Sequence, residues 1–243
     1  MSPIDPRRAL RWRPARLRAV LFDLDGTLVE TAGDIALALN RSLADAGYPT
    51  VGTAAVRAWI GRGAATLVSH AIANLGLPAG EGEHAALLQG FFAHYARLHA
   101  SGESTASAFP GAAGALRELR NRELKLAVVT NKQRSLALDA LAVAGLGLWP
   151  DVVVGGDTCG RLKPDPEPLR HACREIGVAP HEAVMVGDSA TDVTAARAAG
   201  MAVVCVPYGY NDGQPARELP CDELVERLDE LPALLFAGAR VAG

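Results

Sequence analysis

The sequence lacks several features that mark whole classes of protein. It contains no apolar run of the roughly 18 residues that a membrane-spanning helix requires. Its formal net charge is −3, which leaves no general positive field to attract nucleic acid. The first residues hold no apolar segment of the kind found in secretory signals. These absences predict a cytoplasmic protein that binds neither membranes nor nucleic acids.

Cysteine is scarce, and its spacing is not that of a metal or redox site. The chain has four cysteines, Cys159, Cys173, Cys205 and Cys221. They form no C-x-x-C pair, and no cluster of histidine and cysteine indicates zinc. We interpret all four as reduced structural thiols.

Arginine is concentrated at the start of the chain, where prolines interrupt it. The arginines of this segment are Arg7, Arg8, Arg11, Arg13, Arg16 and Arg18. We expect residues 1–17 to be an unstructured extension that precedes the first strand. The alternative is a tail that contacts an anionic partner.

Short, continuous apolar runs alternate with helical patterns over most of the chain. The runs are rich in β-branched residues, as expected for strands buried on both faces. They cover residues 19–22, 124–129, 152–154, 183–186 and 202–206. Helical patterns cover residues 112–122, 134–144, 166–176, 190–199 and 222–236. This alternation predicts an α/β fold built on a doubly wound parallel sheet.

One region breaks the alternation of strands and helices. From about residue 31 to residue 105 the sequence shows helical patterns and no convincing strand. Thr31 and Asp34 have the spacing of a capping box, which predicts a helix from there to about Ala46. Further helices are predicted over 56–60, 64–75 and 83–100. We therefore expect a helical domain, 31–105, inserted into a core domain made of 18–30 and 106–243.

Polar side chains follow the predicted strands at their carboxyl ends, where open α/β sheets bind ligands. In chain order they are Asp23, Asp25, Thr130, Asn131, Lys163, Asp188 and Asp192. Taken singly, each has an ordinary structural explanation as a turn residue, a helix cap or a solvated lysine. Taken together, they predict one site assembled from distant parts of the chain.

Four aspartates in one cleft require a cation. Two ionised carboxylates about 4 Å apart repel each other by roughly 4 kcal/mol at an effective dielectric constant of about 20. A set of oxygen ligands favours Mg²⁺. Together with Lys163, such a cation makes a receptor for a phosphate dianion and allows a carboxylate to approach phosphorus.

The polar segments resemble the four motifs of the haloacid dehalogenase superfamily, in the family's order, over nearly the whole chain from about Arg18. The motifs are Asp23-Leu24-Asp25-Gly26-Thr27, Thr130-Asn131, Lys163-Pro164 and Gly187-Asp188-Ser189-Ala190-Thr191-Asp192. The inserted helices resemble the C1 cap of this superfamily. One departure is Glu30-Thr31, where many relatives have Asp, and it bears on the hinge of the cap.

The resemblance implies a Mg²⁺-dependent phosphomonoesterase. Asp23 is then the nucleophile that forms an aspartyl-phosphate, and Asp25 is the general acid and base. Asp25 also argues against a true dehalogenase, which has no leaving alkoxide to protonate. Mg²⁺ is implied to bind Asp23, Asp188 and the backbone carbonyl of Asp25, with Asp192 in a supporting position.

The same resemblance implies which residues contact the substrate, a small phosphorylated metabolite. Thr130 and Lys163 are implied to bind the phosphoryl oxygens, and Asn131 to bind the substrate beside them. Arg62, between two glycines of the cap, is expected to pair with a carboxylate on the leaving group. The alternative for Arg62 is a solvent-facing loop residue.

Further segments resemble the bacterial phosphoglycolate phosphatases within the superfamily. They are Trp59-Ile60-Gly61-Arg62-Gly63-Ala64, Thr130-Asn131-Lys132, Gly155-Gly156-Asp157, the segment 163–169 and Tyr208-Gly209-Tyr210-Asn211. This implies hydrolysis of 2-phosphoglycolate to glycolate and phosphate. Alternatives are another small ester such as a sugar phosphate or N-acetylmuramic acid 6-phosphate, a phosphomutase, or an inactive module that binds phosphorylated metabolites. Whether the protein is a monomer or a homodimer stays open.

Overall fold

A parallel sheet forms the centre of the protein, whose computed structural model describes residues 12–77 and 80–237. The strands are β1 (Ala19–Phe22), β2 (Val29–Glu30), β3 (Ser107–Ala108), β4 (Lys125–Val129), β5 (Val152–Val154), β6 (Ala183–Gly187), β7 (Ala202–Cys205) and β8 (Glu223–Leu224). Six of them form one sheet in the order β5-β4-β1-β6-β7-β8, and all neighbours in it pair in parallel. The predicted α/β class and parallel sheet are confirmed.

Helices cover both faces of this sheet. They are α1 (Ala32–Asp45), α2 (Thr53–Trp59), α3 (Ala64–Leu75), α4 (Glu81–Ser101), α5 (Ala112–Asn121), α6 (Arg134–Val143), α7 (Glu167–Ile176), α8 (Ala190–Ala199) and α9 (Leu231–Phe236). Side chains of α5, α6 and α9 pack with Val20 and Phe22 of β1, whereas α7 and α8 pack with Ala19 and Leu21. Because alternate residues of a strand point to opposite faces, burial of both faces requires continuous apolar strands.

The strand order decides where the polar residues meet. Strand β1 lies between β4 and β6, and Phe22 is paired with Val128 on one side and Val186 on the other. The residues that follow these three strands therefore leave the sheet at the same edge. The backbone N–H of Asp23 continues the pairing by donating to the carbonyl of Val186 at 2.9 Å.

The helices α1–α4 form a second packed unit with its own apolar cluster, in which Leu39, Val68 and Tyr95 are fully buried. Two residues of the sheet-containing part, Leu136 and Tyr210, belong to the same cluster. The two chain crossings between the units pair as the short antiparallel strands β2 and β3, which the sequence did not predict. The domain limits at residues 31 and 105 stay a prediction.

The C-terminal segment differs from the single helix predicted over residues 222–236. Its first part forms β8, which pairs with β7 and extends the sheet, and a 3₁₀ turn at Leu228–Glu230 precedes the α-helix Leu231–Phe236. Pro232 lies in the first turn of α9, the position that a residue without an N–H tolerates. Leu228, Leu231 and Leu235 nevertheless cover the sheet, as their pattern indicated.

Two further features concern the ends and the surface of the molecule. Residues 1–11 of the predicted arginine-rich extension lie outside the described residues. Farther along that extension, Trp12 and Leu17 pack against the core, and the guanidinium of Arg13 donates to the carbonyl of Ala237. Within the described ranges, no helix combines the length and apolar character needed to cross a bilayer.

Candidate active site

The polar residues that follow β1, β4 and β6 converge at one edge of the sheet. Asp23 comes after β1, Thr130 after β4 and Asp188 after β6, and all three are buried. Lys163 and Asp192 reach the same edge from the loop before α7 and from the first turn of α8. The structure thus brings together the core residues that the sequence predicted to form one site.

Lys163 holds the predicted nucleophile in place. Its Nζ lies 2.8 Å from Oδ1 of Asp23 and donates to Oδ1 of Asp192 and to the carbonyl of Val129, both at 2.7 Å. An ammonium group has three N–H donors, so these contacts use all of them. Burying the ammonium is tolerated because it is paired on two sides. Its predicted contact with phosphoryl oxygens stays a prediction.

Asp192 supports the site from behind. Its Oδ2 accepts hydrogen bonds from the hydroxyl and the backbone N–H of Ser189 and from the backbone N–H of Asp188, while Oδ1 accepts from Lys163. Ser189 and Asp192 also form the capping box that opens α8. With both oxygens engaged, Asp192 orients its neighbours, which fits the supporting position expected of it.

Asp188 sits in a pocket of backbone and hydroxyl donors. Thr27 donates its hydroxyl proton to Oδ1 at 2.9 Å, and the backbone N–H of Tyr210 donates to Oδ2 at 2.6 Å. Burial, with the charge of Asp192 adding to it, raises the pKa of Asp188 to about 7. The fit requires glycine nearby, because a Cβ at Gly209 would lie 2.2 Å from Oδ2 of Asp188.

Asp25 is bound from two sides at the entrance to the cap. Its Oδ1 accepts from the hydroxyl of Thr31 at 2.6 Å and from Nζ of Lys132 at 2.9 Å, and its Oδ2 lies 3.1 Å from the same Nζ. The capping box predicted at Thr31 is wrong, because this hydroxyl serves Asp25 and makes no cap bond to α1. Asp34 instead accepts from the backbone and hydroxyl of Thr105.

Lys132 is a site residue that the sequence analysis did not single out. Its side chain is only 7% exposed, and its Nζ lies 4.5 Å from the ring centroid of Tyr95 in α4. Burial alone would lower the pKa of Lys132, but the neighbouring charge of Asp25 raises it above its ordinary value. The available signal was its place directly after Thr130-Asn131, yet a lysine after a strand is ordinarily solvated.

The charges of the site leave room for a divalent cation. Lys163 and Lys132 balance two of the four aspartates. Burial and the neighbouring carboxylates raise the pKa of Asp23 well above its ordinary value, although Lys163 opposes this, and the pKa of Asp188 is raised as well. Asp23, Asp188 and Asp192 each offer an oxygen within 4.8 Å of the others. The donor set therefore fits a hard cation that prefers oxygen ligands.

A cavity lies between this edge of the sheet and the cap. Asp23, Asp25 and Lys132 line it from one side. Trp59, Phe91 and Tyr95 line it from the other, so the chemical groups face an apolar wall. Such a mixture of apolar lining and a few convergent polar groups is typical of small-molecule sites.

Asn131 and Arg62, both predicted to contact the substrate, lie at or beside the cap loop that contains Gly61. The amide of Asn131 donates to the carbonyls of Gly61 and Lys163, both at 2.9 Å, and accepts from the backbone N–H of Lys163 at 2.8 Å. Asn131 thus ties the cap loop to the Lys163 loop. Arg62 is exposed and is not among the described residues that line the cavity. Substrate binding by Asn131 and Arg62 stays a prediction, as it does for Thr130, which lines the cavity.

A network around Tyr210 connects the start of the cap with Asp188. The hydroxyl of Tyr210 donates to Oε1 of Glu30 at 2.6 Å and accepts from the backbone N–H of Thr31 at 2.9 Å. Arg57 pairs with Glu30 at 2.8 Å and lies over the Tyr210 ring, 4.4 Å from its centroid. The segment 208–211 was noticed in the sequence, but its partners are about 180 positions away and gave no local signal.

Comparisons with known proteins agree with this geometry. The family model described as haloacid dehalogenase-like hydrolase matches residues 20–206. The phosphoglycolate phosphatase of Cupriavidus necator is 47% identical over 219 residues, which cover 89% of this chain and 92% of that protein. The phosphoglycolate phosphatase of Nitrosospira multiformis is 40% identical, over 91% of this chain and 97% of that protein.

A solved structure supports the same assignment. The crystal structure of a predicted phosphoglycolate phosphatase from Haemophilus somnus superposes with a TM-score of 0.82 at 30% identity, over 88% of this chain and 96% of that one. The family match covers most of the sequence and includes the residues gathered around Asp23. The chain therefore belongs to the haloacid dehalogenase-like hydrolase family.

Proposed function

We propose that the protein is a Mg²⁺-dependent phosphatase that hydrolyses 2-phosphoglycolate to glycolate and phosphate through an aspartyl-phosphate. The observation that carries the proposal is the placement of Asp23. One oxygen of this buried carboxylate is fixed by Lys163, and the residue lines the cavity beside Asp25. That is the arrangement needed for a carboxylate nucleophile with an acid beside it.

In the first step, a carboxylate oxygen of Asp23 forms a bond to phosphorus and the ester P–O bond breaks. Oδ1 of Asp23 is held by Lys163, which leaves Oδ2 for the attack. The departing alkoxide takes a proton from Asp25, which lines the same cavity. The products of this step are glycolate and a phosphoryl group on Asp23.

In the second step, water attacks the phosphorus of the aspartyl-phosphate. Asp25, now deprotonated, takes a proton from that water, and the bond between Asp23 and phosphorus breaks to release phosphate. Thr31 and Lys132 hold the Asp25 carboxylate from two sides, so one orientation serves both transfers. Asp25 is protonated at the start of the cycle, when it acts as the acid, and it is protonated again at the end.

The raised pKa values of Asp23 and Asp188 support a divalent cation at their carboxylates. Asp23, Asp188 and the backbone carbonyl of Asp25 would hold Mg²⁺, and Asp192 keeps Lys163 and the backbone of Asp188 in position. When bound, Mg²⁺ neutralises the charge on the transferring phosphoryl oxygens. Lys163 keeps the nucleophile in one orientation throughout.

The choice of 2-phosphoglycolate rests on the relatives that carry the phosphoglycolate phosphatase name at 38–47% identity over most of this chain. A cavity that Trp59 and Phe91 line together with Asp23 is consistent with a small ester. The proposal includes a cap of residues 31–105 over a core of 18–30 and 106–243. The cap excludes bulk water while the phosphoenzyme exists.

Phosphate release from a panel of small esters tests the proposal. The purified protein is assayed with 2-phosphoglycolate, sugar phosphates and N-acetylmuramic acid 6-phosphate, each with Mg²⁺ and with a chelator. We expect the highest kcat/KM for 2-phosphoglycolate, with Mg²⁺ required. Asp23→Asn abolishes release, whereas Asp139→Asn, an exposed aspartate on α6, does not. Full activity in chelator, a preference for another ester, or an isomerised product would contradict the proposal.

A further inference from the structure

One cation lines the cavity, and its role in the chemistry above is limited to holding Asp25. Among the described residues that line it, Lys132 is the one with a positive charge. Its Nζ makes two contacts, at 2.9 and 3.1 Å, to the two oxygens of Asp25. On its other side the ammonium group lies beside the side chain of Tyr95, with Nζ 4.5 Å from the ring centroid. Because it lines the cavity, Lys132 can bind a second anionic group there while it stays paired with Asp25.

A buried hydroxyl next to Lys132 lacks an acceptor for its proton. Tyr95 is fully buried and lines the same cavity, and the polar group beside its Oη is the Lys132 ammonium, which only donates, so among the described residues nothing accepts from the hydroxyl. Burial raises the pKa of Tyr95 to about 12, so the hydroxyl keeps its proton and is a donor at neutral pH. Buried hydroxyls in native proteins nearly always have a partner. An unpaired donor in a cavity points to a ligand that accepts from it.

We propose that Lys132 and the hydroxyl of Tyr95 form a subsite for the carboxylate of the substrate, and that this subsite selects phosphate esters with an acid group next to the ester oxygen. The inference rests on the proposed function and deepens it, because it assigns recognition of the leaving group to two named residues. One comes from the loop after β4 and the other from α4 of the cap.

The position of Asp25 links this subsite to the reacting bond. As the acid, Asp25 must contact the ester oxygen, and in 2-phosphoglycolate a single methylene separates that oxygen from the carboxylate. A substrate placed for proton transfer from Asp25 therefore brings its carboxylate next to the ammonium that Asp25 already binds. Charge pairing of this kind fixes both the position and the orientation of the leaving group.

The apolar wall makes the subsite selective. Trp59, Phe91 and Leu136 line the cavity with Tyr95 and restrict water around the ammonium, which strengthens its attraction to a carboxylate. An ester without the acid group leaves the hydroxyl of Tyr95 without an acceptor and the ammonium of Lys132 paired with Asp25 alone. Sites built to pair with a polar group discriminate strongly against analogues that lack it.

A matched pair of substrates tests the subsite. Ethyl phosphate resembles 2-phosphoglycolate but carries a methyl group in place of the carboxylate. The measured quantity is the ratio of kcat/KM for 2-phosphoglycolate to that for ethyl phosphate, with saturating Mg²⁺. The variants are Lys132→Met, Lys132→Arg and Tyr95→Phe. Lys125→Met is the control, because Lys125 is an exposed surface lysine whose side chain is 52% accessible.

We expect Lys132→Met to lower this ratio by about tenfold to a hundredfold, mainly through a higher KM for 2-phosphoglycolate. Tyr95→Phe removes one oxygen and is expected to lower the ratio by about threefold to tenfold. Lys132→Arg retains the charge and is expected to restore part of the preference. The control variant keeps the ratio of the unmodified protein.

Three results would overturn the proposal. Equal losses on both substrates in Lys132→Met and Tyr95→Phe would mean that these residues act only through Asp25, while the proposed function stands. Loss of the preference in Arg62→Ala, but not in Lys132→Met, would assign the carboxylate to the cap loop. If Lys132→Met fails to fold, an unchanged ratio in Tyr95→Phe overturns the subsite.

The substrate preference of the unmodified protein distinguishes a failure of this inference from a failure of the proposed function. If 2-phosphoglycolate is a poor substrate but another acid-bearing ester is preferred, the proposed substrate is wrong. The subsite is then supported if Lys132→Met removes that preference, and overturned if it does not. If no acid-bearing ester is preferred over its uncharged analogue, both the substrate and the subsite are wrong.

Discussion

Replacing Asp188 by asparagine is expected to stabilise the metal-free protein and abolish its activity. The carboxylate of Asp188 is 2% exposed and has no ammonium partner among the described residues. The amide fits the same space. Its oxygen accepts from the backbone N–H of Tyr210, and its NH₂ donates to the hydroxyl of Thr27, which rotates to accept. The substitution therefore removes a buried charge and keeps both hydrogen bonds.

The expected gain in the free energy of unfolding follows from the pKa of Asp188, which is raised from 3.8 to about 7. Each pKa unit corresponds to about 1.4 kcal/mol, so ionising this carboxyl in the folded protein costs about 4 kcal/mol at pH 8. Because Asp188 shares its surroundings with Asp23 and Asp192, we expect a gain of about 2–4 kcal/mol from the substitution. That corresponds to a rise in Tm of about 5–15 °C for a chain of this size.

The stability gained through Asp188→Asn increases with pH. Well below pH 3.8 the carboxyl of Asp188 is protonated in both the folded and the unfolded protein, and the substitution then changes little. Between the unfolded pKa of 3.8 and the folded pKa of about 7, the folded protein holds more protons than the unfolded one. Stability of the unmodified protein therefore falls as pH rises through this window, and the gain from Asp188→Asn grows until about pH 7.

Thermal unfolding in chelator from pH 5 to pH 8 measures the gain, and phosphate release with Mg²⁺ measures the activity. Asp139→Asn is the control, because Asp139 is exposed on α6 and its substitution leaves both quantities unchanged. Added Mg²⁺ should stabilise the unmodified protein at pH 8 more than it stabilises Asp188→Asn. A variant less stable than the unmodified protein in chelator at pH 8 would refute the argument that the uncompensated charge of Asp188 calls for a cation.

Three further substitutions probe the structure around the site. Tyr210→Phe removes the hydroxyl that bonds Glu30 and two backbone N–H groups, and urea unfolding should show a loss of about 1–3 kcal/mol. Gly209→Ala places a Cβ 2.2 Å from Oδ2 of Asp188, and is expected to weaken Mg²⁺ binding in a calorimetric titration and lower phosphate release at least about tenfold. Asn131→Ala removes three hydrogen bonds and should lower kcat about tenfold, with a smaller effect on Tm, because the lysine loop behind the nucleophile loosens.

Much of the fold was predictable because its strands are buried on both faces. Ala19–Phe22, for example, is apolar at every position and lies between two parallel neighbours, so its run stands out from the alternating patterns of exposed strands. The segment 222–236 was predicted as one helix because Leu224, Leu228, Leu231 and Leu235 recur at helical spacing. Its first residues instead pair with β7, and that pairing depends on the folded sheet and not on the local pattern. Two-residue strands such as β2 are too short to leave any pattern.

The site was most predictable where its residues directly follow strands. Asp23, Thr130 and Asp188 were expected to converge, since parallel strands end at one edge of a sheet. The partner of Thr31 was missed because a hydroxyl at a helix start has a local alternative in capping, and only the folded chain brings Asp25 within 2.6 Å. Contacts that join the cap to the core require a packing geometry that no local pattern contains.

The measurement that tests the central claim most directly is a search for the phosphorylated residue during turnover. The protein is mixed with 2-phosphoglycolate and Mg²⁺, quenched in acid within milliseconds, digested and examined by peptide mass spectrometry. We expect a phosphoryl group on the peptide that contains Asp23, and none when Asp23→Asn is treated in the same way. Turnover with no phosphorylated peptide, or a phosphoryl group on a different residue, would contradict the account.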